Sequence, residues 1–227
     1  MHHRSALEQP RTLVEMQAVI NTFANDPAEY SSTVVLRRKG VAKIMIEEYL
    51  PLFLLAKSLT GFQSASLTVD SHPGPDAVLL FNDGSHATVQ ITCAGENEGT
   101  ALQRELLEGG QIVYANQSAK RIRETGKVTQ SGRMLTTRIA NTRAAINEVL
   151  SAIEKKTHKY RTATQFLLIS IHRSEITMTE DWQKQLLATV CALTDLPYER
   201  TYVATHHICF PLVPNSFWNE GQRINQR

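Results

Sequence analysis

Long hydrophobic runs are missing from this 227-residue chain, which excludes a protein built on membrane-spanning helices. The nearest candidate, YLPLFLLA at residues 49–56, is far shorter than the roughly 18 apolar residues that a spanning helix needs. The first residues, MHHRSALEQPRTL, lack the apolar stretch of a signal peptide. We therefore expect a cytoplasmic protein that has no membrane partner.

Cysteine is also scarce, and its placement excludes two kinds of cross-linked fold. The cysteines are odd in number, far apart and set in apolar segments, so we expect neither a disulfide framework nor a zinc site. They are Cys93, Cys191 and Cys209. No phosphate-binding glycine loop is present either, because the GK pair in ETGKVTQSG is followed by Val128, where that motif has Ser or Thr.

Basic and acidic residues nearly balance each other, since the formal net charge is only +2. This value does not by itself require a nucleic-acid partner. The distribution is uneven, because seven bases face a single acid, Glu124, between residues 117 and 143. The bases are Lys120, Arg121, Arg123, Lys127, Arg133, Arg138 and Arg143. The part from Ala115 to Leu135 has weak periodicity and is predicted to be a mobile loop.

Hydrophobic periodicity predicts an α/β fold with a mixed central β-sheet flanked by helices. Helices are expected at residues 11–24, 41–59, 97–110, 136–156 and 180–195. Strands are expected at residues 64–71, in a hairpin at 74–94, at 165–172 and, as one last strand, at 200–213. Pro51 is expected to kink or divide the second helix. We assign residues 1–40 to a helical extension and residues 41–227 to the α/β domain.

The segment GPDAVLLFNDGSHATVQITCA, residues 74–94, predicts a β-hairpin whose turn permits two registers. With a two-residue Asp-Gly loop, Ala77 pairs with Gln90 and both faces mix polar and apolar side chains. With a three-residue loop and Gly84 in the left-handed conformation, Asp76 pairs with Gln90 and the faces separate. One face then carries Ala77, Leu79, Phe81, Ala87, Val89 and Ile91, and the other Asp76, Val78, Leu80, His86, Thr88 and Gln90. We predict this second register.

Asp76 needs a specific partner, because a carboxylate on a partly apolar strand face is costly unless it is paired, hydrogen-bonded or holding a cation. One interpretation is structural: the carboxylate caps the backbone of the HPGPD turn. The other is chemical, with Asp76 as a metal ligand.

The chemical interpretation has support from a family resemblance. Pro75-Asp76, a hairpin and then the short strand TVQIT leading to a helix resemble the PD-(D/E)XK, or restriction-endonuclease-like, nuclease superfamily. There a Pro-Asp pair is followed on the next strand by acid-x-Lys. Matched residue by residue, Asp76 takes the place of the metal-binding Asp, Thr88 that of the second acid, and Gln90 that of the Lys, where some members carry Gln. The resemblance implies a restriction-endonuclease-like α/β/α sandwich.

The resemblance also implies a magnesium or manganese ion at Asp76. One Asp alone holds Mg²⁺ poorly, so a second carboxylate is needed. A helix before the sheet often supplies a Glu in this superfamily, which makes Glu48 the first candidate. The others, in order, are Glu47, Asp70, Glu105 and Glu96. Gln90 would position water or phosphate. The alternatives are a sheet amide for Gln90 and a solvated helix edge for Glu47 and Glu48.

Three functions are compatible with these patterns. The first is a metal-dependent endonuclease, a hydrolase acting on DNA, with Asp76, Gln90 and Glu48 as its catalytic residues. The second is a nuclease-like fold that has lost activity and binds nucleic acid or protein. The third is a subunit of a homodimer or larger assembly. Contacts to a nucleic-acid backbone are expected from Arg104, Lys120, Arg121 and Arg123, for which an ordinary solvated surface is the alternative.

Overall fold

The computed structural model describes most of the chain, in separate stretches. These are residues 5, 7–26, 40–68, 74–94, 102, 105–106, 109–110, 117–133, 138–159, 165–171, 180–190, 198–205 and 208–212. The helices are α1 (Leu13–Ala24), α2 (successive segments Gly40–Ile44, Met45–Tyr49 and Leu50–Ser58), α3 (Arg138–Lys159) and α4 (Glu180–Val190). The strands are β1 (Phe62–Leu67), β2 (Ala77–Phe81), β3 (His86–Ala94), β4 (Gln117–Arg121), β5 (Val128–Arg133), β6 (Phe166–Ile171), β7 (Arg200–Ala204) and β8 (Cys209–Leu212).

Six strands form one mixed sheet in the order β1-β2-β3-β6-β7-β8. Strands β1, β2 and β3 are successive antiparallel neighbours, β6 and β7 continue the sheet in parallel to β3, and β8 returns antiparallel to β7. The predicted α/β class with a mixed central sheet is therefore confirmed.

Strand β6 shows how the helices cover both faces of this sheet. Its sequence, FLLISI, is buried at every position, as expected for a central strand of a parallel sheet. Phe166 and Leu168 belong to a core that includes residues of α1 and α2. Leu167 and Ile169 point the other way, into a second core formed with α3 and α4. We call these the first core and the second core.

Pro51 divides helix α2 without ending it. The backbone widens into a π-helix over Met45–Tyr49, and the proline lies in the first turn of the final α-helical segment. Proline has no N–H to donate and its ring crowds the carbonyl of the preceding turn, so an α-helix cannot pass through it undistorted. A wider turn just before the proline accommodates this.

Two sequence-based predictions were wrong. Part of the predicted loop between residues 115 and 135 is a hairpin, formed by β4 and β5. Ala119 and Val128 are buried in a small cluster with Leu102 and Leu106, and this packing outweighs the weak periodicity. The last strand is two strands, because the chain turns after β7, where the Thr205 N–H donates to the Ile208 carbonyl at 2.9 Å. Strand β8 thereby covers the edge of β7.

The chain before residue 40 contributes to the first core. Leu7, Met16 and Phe23 are buried there together with residues of α2. Arg11 pairs with Ala65 of β1 through two backbone hydrogen bonds of 2.9 Å. These contacts attach α1 and its leading segment to the sheet.

Candidate functional site at the Asp76 hairpin

The β2–β3 hairpin adopts the register expected from its alternating side chains. Val78 pairs with Thr88, and Gly84 has φ +81°, the left-handed conformation expected for a three-residue loop. One step beyond the paired residues, Asp76 lies opposite Gln90, and their side chains meet. The sequence therefore predicted correctly which residue Asp76 contacts across the strands.

The two faces of the hairpin have the separate environments that this register requires. Ala77, Leu79, Val89 and Ile91 are buried in the first core. Gln90 points to the opposite face and is paired along the sheet with Leu167, a residue of the second core. The site thus lies on the face of the sheet that α3 covers.

The carboxylate of Asp76 has several partners on a single oxygen. Its Oδ2 accepts a hydrogen bond from Gln90 Nε2 and another from the Ile91 N–H, at 2.6 Å. Lys156 Nζ of α3 lies 3.9 Å from the same oxygen. The Asp76 N–H donates to the Val89 carbonyl at 2.9 Å, which fixes the backbone at the start of the hairpin. The negative charge therefore lies among N–H donors and beside the Lys156 ammonium.

Lys156 is a site residue that the sequence patterns above did not identify, although its spacing along the helix indicates that it faces inward. Val149, Ile153 and Lys156 follow one another at spacings of four and three residues, which places them on one side of a helix. Val149 and Ile153 are buried and Lys155 is exposed. The spacing indicates an inward-facing lysine, but only packing reveals that it faces Asp76.

Gln90 is fully buried, and its amide is only partly satisfied. Its Nε2 donates to Asp76, whereas its Oε1 has no hydrogen-bond partner within the part of the chain that the structure describes. A buried acceptor without a partner costs free energy. This oxygen can therefore serve as a ligand atom. It lies near Asp76, whose carboxylate is the only one that Gln90 contacts among the described residues.

Thr88, matched to the second acid of the motif, participates in strand pairing. Its N–H donates to Gln165 Oε1 at 3.0 Å, and its Oγ1 accepts from the Gln165 N–H at 3.2 Å. Gln165 directly precedes β6. This reciprocal pair links β3 to the start of β6.

The acids proposed to assist Asp76 have other surroundings or lie outside the described residues. Glu47 is buried, with Lys43 Nζ 3.9 Å from its Oε2, and Glu48 is half-buried. Both are on α2, which packs in the first core, on the sheet face opposite Gln90. Glu105 forms an ion pair with Arg121 at 2.6 Å. Asp70 and Glu96 are outside the described residues.

Among the residues that the structure describes, this site presents fewer oxygen ligands than a magnesium or manganese ion usually takes. Mg²⁺ is usually held by one or two carboxylates together with waters and substrate phosphates, in near-octahedral geometry. Within the described stretches, no three His, Cys, Asp or Glu side chains are grouped as metal ligands. The one carboxylate, Asp76, already faces an ammonium group and two N–H donors. The donor set that the described residues provide does not fit the ion that the resemblance implies.

The basic residues expected to contact nucleic acid are exposed where the structure describes them, and Arg121 forms an ion pair as well. The Arg121 guanidinium donates to both carboxylate oxygens of Glu105, at 2.6 and 3.1 Å, and to the Gly126 carbonyl at 2.9 Å. Lys120 is exposed and lies on the other face of the β4–β5 hairpin, opposite Thr129. Arg123 is exposed in the turn. Arg104 lies outside the described residues.

Comparisons of the chain with protein-family models, with curated proteins and with solved structures find no match. Among the described helices, none combines the length and apolar character needed to cross a membrane.

Proposed function

We propose that this chain is a nucleic-acid-binding protein with a restriction-endonuclease-like fold, in which the Asp76 hairpin serves structure and contact without cutting. The proposal combines three features: the order of the elements, the chemistry around Asp76 and the exposed cations of the β4–β5 hairpin.

The order of elements is compatible with the family resemblance. Helix α2 precedes the sheet, Pro75 and Asp76 directly precede β2, and β3 follows in the same hairpin. The chain then passes through α3 to β6, which pairs in parallel with β3. A shared fold does not establish shared chemistry, because active sites can be lost while the fold is kept.

The state of Asp76 is the observation that carries the proposal. Metal-assisted hydrolysis of a phosphodiester needs a cation that binds the phosphate, a positioned water and stabilisation of the leaving oxygen. The Asp76 carboxylate is instead paired with Lys156, Gln90 and the Ile91 N–H. Thr88 offers no carboxylate and is hydrogen-bonded to Gln165. These contacts stabilise the packing of β2, β3 and α3 against one another.

The β4–β5 hairpin supplies the surface for contact with an anionic backbone. Lys120, Arg123 and Lys127 are exposed at and beside its turn, and Glu124 is the one acid in that part of the sequence. The pairing of Arg121 with Glu105 removes one cation from this set and holds the hairpin against the helical residues before it. Contacts of lysine and arginine with phosphates are independent of base sequence and weaken with salt.

The test is fluorescence anisotropy with labelled single-stranded and duplex DNA and RNA of equal length, over a range of salt concentrations. We expect wild-type binding that weakens with salt. Combined Lys120→Ala and Arg123→Ala substitutions should weaken binding and lower the slope of log K against log salt by about 2. The charge-matched control changes the exposed Lys155 and Lys184 to Ala. Equal losses in both double variants, or no wild-type binding, would contradict the proposal.

Metal-dependent hydrolysis is the second candidate, favoured by the convergence of Asp76, Gln90 and Lys156 at one point of the hairpin. A plasmid-nicking assay with Mg²⁺ or Mn²⁺ distinguishes the two. Our proposal expects no nicking by the wild type. Nicking that is abolished by Asp76→Asn but kept by Asp83→Asn, a change in the exposed turn of the same hairpin, would establish the nuclease instead.

A further inference from the structure

We infer that the Glu105 carboxylate occupies the Arg121 guanidinium in the manner of a backbone phosphate and thereby lowers the affinity of the β4–β5 hairpin for nucleic acid. Arg121 is a phosphate-binding residue that the chain itself blocks. This block rests on the proposed function, because it regulates the same nucleic-acid-binding surface.

Arg121 binds Glu105 through two parallel hydrogen bonds. Nη1 donates to Oε1 at 3.1 Å, and Nη2 donates to Oε2 at 2.6 Å. A guanidinium makes the same pair of contacts with two oxygens of a phosphate group, because both anions fit its planar fork. The carboxylate therefore fills the position that a phosphate needs, and the two anions exclude each other on this arginine.

A third hydrogen bond holds the guanidinium on its own hairpin. Nη1 also donates to the Gly126 carbonyl at 2.9 Å. The Gly126 N–H donates to the Ile122 carbonyl at 2.8 Å, so the turn that carries this acceptor is itself fixed. Neither contact involves Glu105. Arg121 therefore stays oriented when the carboxylate is removed, and its fork becomes open to another anion.

Apolar packing keeps Glu105 beside Arg121. Leu106, the next residue in the chain, is buried with Ala119 and Val128 of the hairpin. The carboxylate is thus tethered, whereas a phosphate arrives from solution. The charged groups themselves are near the surface, since the Arg121 and Glu105 side chains are 46% and 49% exposed. Solvent weakens an ion pair at this exposure, so we expect the block to reduce the affinity without abolishing it.

Other cations lie beside the blocked arginine. Val128 is the strand partner of Arg121, and the residue before it, Lys127, is exposed. Arg123 is exposed in the turn. A nucleic-acid backbone that contacts these two residues brings further phosphates to the same end of the hairpin. Opening Arg121 therefore adds one more contact to an existing positive surface, which a single inorganic phosphate ion cannot exploit.

The experiment is fluorescence anisotropy of the full chain with the labelled DNA and RNA probes described above. We compare the wild type with Glu105→Gln, which keeps the size of the side chain and removes its charge. The matched control is Glu124→Gln, which removes one negative charge from the exposed turn of the same hairpin. We expect Glu105→Gln to bind about three- to tenfold more tightly than the wild type, since an exposed ion pair no longer competes. Glu124→Gln should change the affinity by about twofold or less, because salt screens a general effect of charge.

A double variant assigns the gain to Arg121. Glu105→Gln combined with Arg121→Ala should bind no more tightly than Arg121→Ala alone, a result that a general effect of charge or folding would not produce. Thermal melts followed by circular dichroism establish that each variant is folded.

The outcomes separate the block from the function on which it rests. Equal gains from Glu105→Gln and Glu124→Gln, or a gain that persists with Arg121→Ala, would overturn the block and leave the proposed binding intact. Binding by Glu105→Gln without detectable binding by the wild type would support the block and contradict the proposed wild-type function. No binding by either protein would overturn both.

Discussion

At the scale of single residues, the chemistry of the hairpin depends on which side chains reach Asp76. The Gln90 amide and the Ile91 N–H donate to the carboxylate, and a lysine approaches from α3. Lys155, one position earlier, is exposed, so one step along the helix separates a charge in solvent from a charge at the site. The local charge balance is thus decided by two residue identities, Gln90 and Lys156.

Asp76→Ala should destabilise the fold, because the substitution leaves the Lys156 ammonium, the Ile91 N–H and Gln90 Nε2 without their shared acceptor. Asp76 retains some exposure, so we expect a loss of about 1–3 kcal/mol in the free energy of unfolding. Urea denaturation measures it. Asp83→Ala, in the exposed turn of the same hairpin, serves as the control and should cost less. Equal stability of Asp76→Ala and the wild type would contradict the role assigned to this carboxylate.

At the scale of elements, local signals specify the beginning of helix α1 as well as the β2–β3 turn. Thr12 caps α1: its Oγ1 accepts from the Glu15 N–H, and the Glu15 carboxylate accepts from the Thr12 N–H at 2.8 Å. The pattern Thr-x-x-Glu is a standard capping box. Hydrogen bonds from the Thr12 N–H, and then from its hydroxyl, lower the pKa of Glu15 below its usual value.

The lowered pKa gives the capping box a predictable pH dependence. Because the folded pKa is below the unfolded one, the stabilising effect of the carboxylate is present above the usual pKa of a glutamate and is lost as the pH falls through the folded pKa. Glu15→Gln should therefore be less stable than the wild type at neutral pH, and this difference should shrink in acid. Urea unfolding at several pH values tests this, with Glu154→Gln on the exposed side of α3 as control. A difference that is constant with pH would refute the assignment.

The two elements that the sequence predicted wrongly are the β4–β5 hairpin and the pair of strands β7 and β8. The sequence of β4 and β5 is polar and basic, and the strands form where Ala119 and Val128 are buried against Leu102 and Leu106. Among the hairpin side chains that the structure describes, two apolar residues take part in that cluster, too few for a clear period in the sequence. Apolar residues occur on both sides of the turn between β7 and β8, so the sequence pattern predicts a single strand there.

At the scale of the whole molecule, one sheet connects two cores. Leu167 and Leu168 are neighbours on β6, both fully buried, and they point into the second and the first core respectively. Strand β6 lies in the middle of the sheet, between β3 and β7. Packing on either face therefore stabilises the same set of strands. Association into a homodimer or larger assembly remains a prediction, which size-exclusion chromatography tests.

Truncating either leucine should weaken the whole molecule. We expect Leu167→Ala and Leu168→Ala each to reduce the free energy of unfolding by about 2–5 kcal/mol, from lost apolar burial and the cavity left behind. Because the sheet is shared, urea unfolding should remain a single transition in both variants. Leu187→Ala, at a half-buried position beside the second core, should cost less. Separate transitions for the two cores would contradict this view.

The sequence by itself determined the elements with strong local periodicity, the β2–β3 register and the contact between Asp76 and Gln90. Side-chain alternation and turn chemistry act between near neighbours, so a single sequence contains them. Only the tertiary structure decided that Lys156 reaches Asp76, that Thr88 pairs with Gln165, and that a polar segment forms β4 and β5. Each of these depends on packing between residues far apart in the chain, where the geometry of the whole sheet selects the partner.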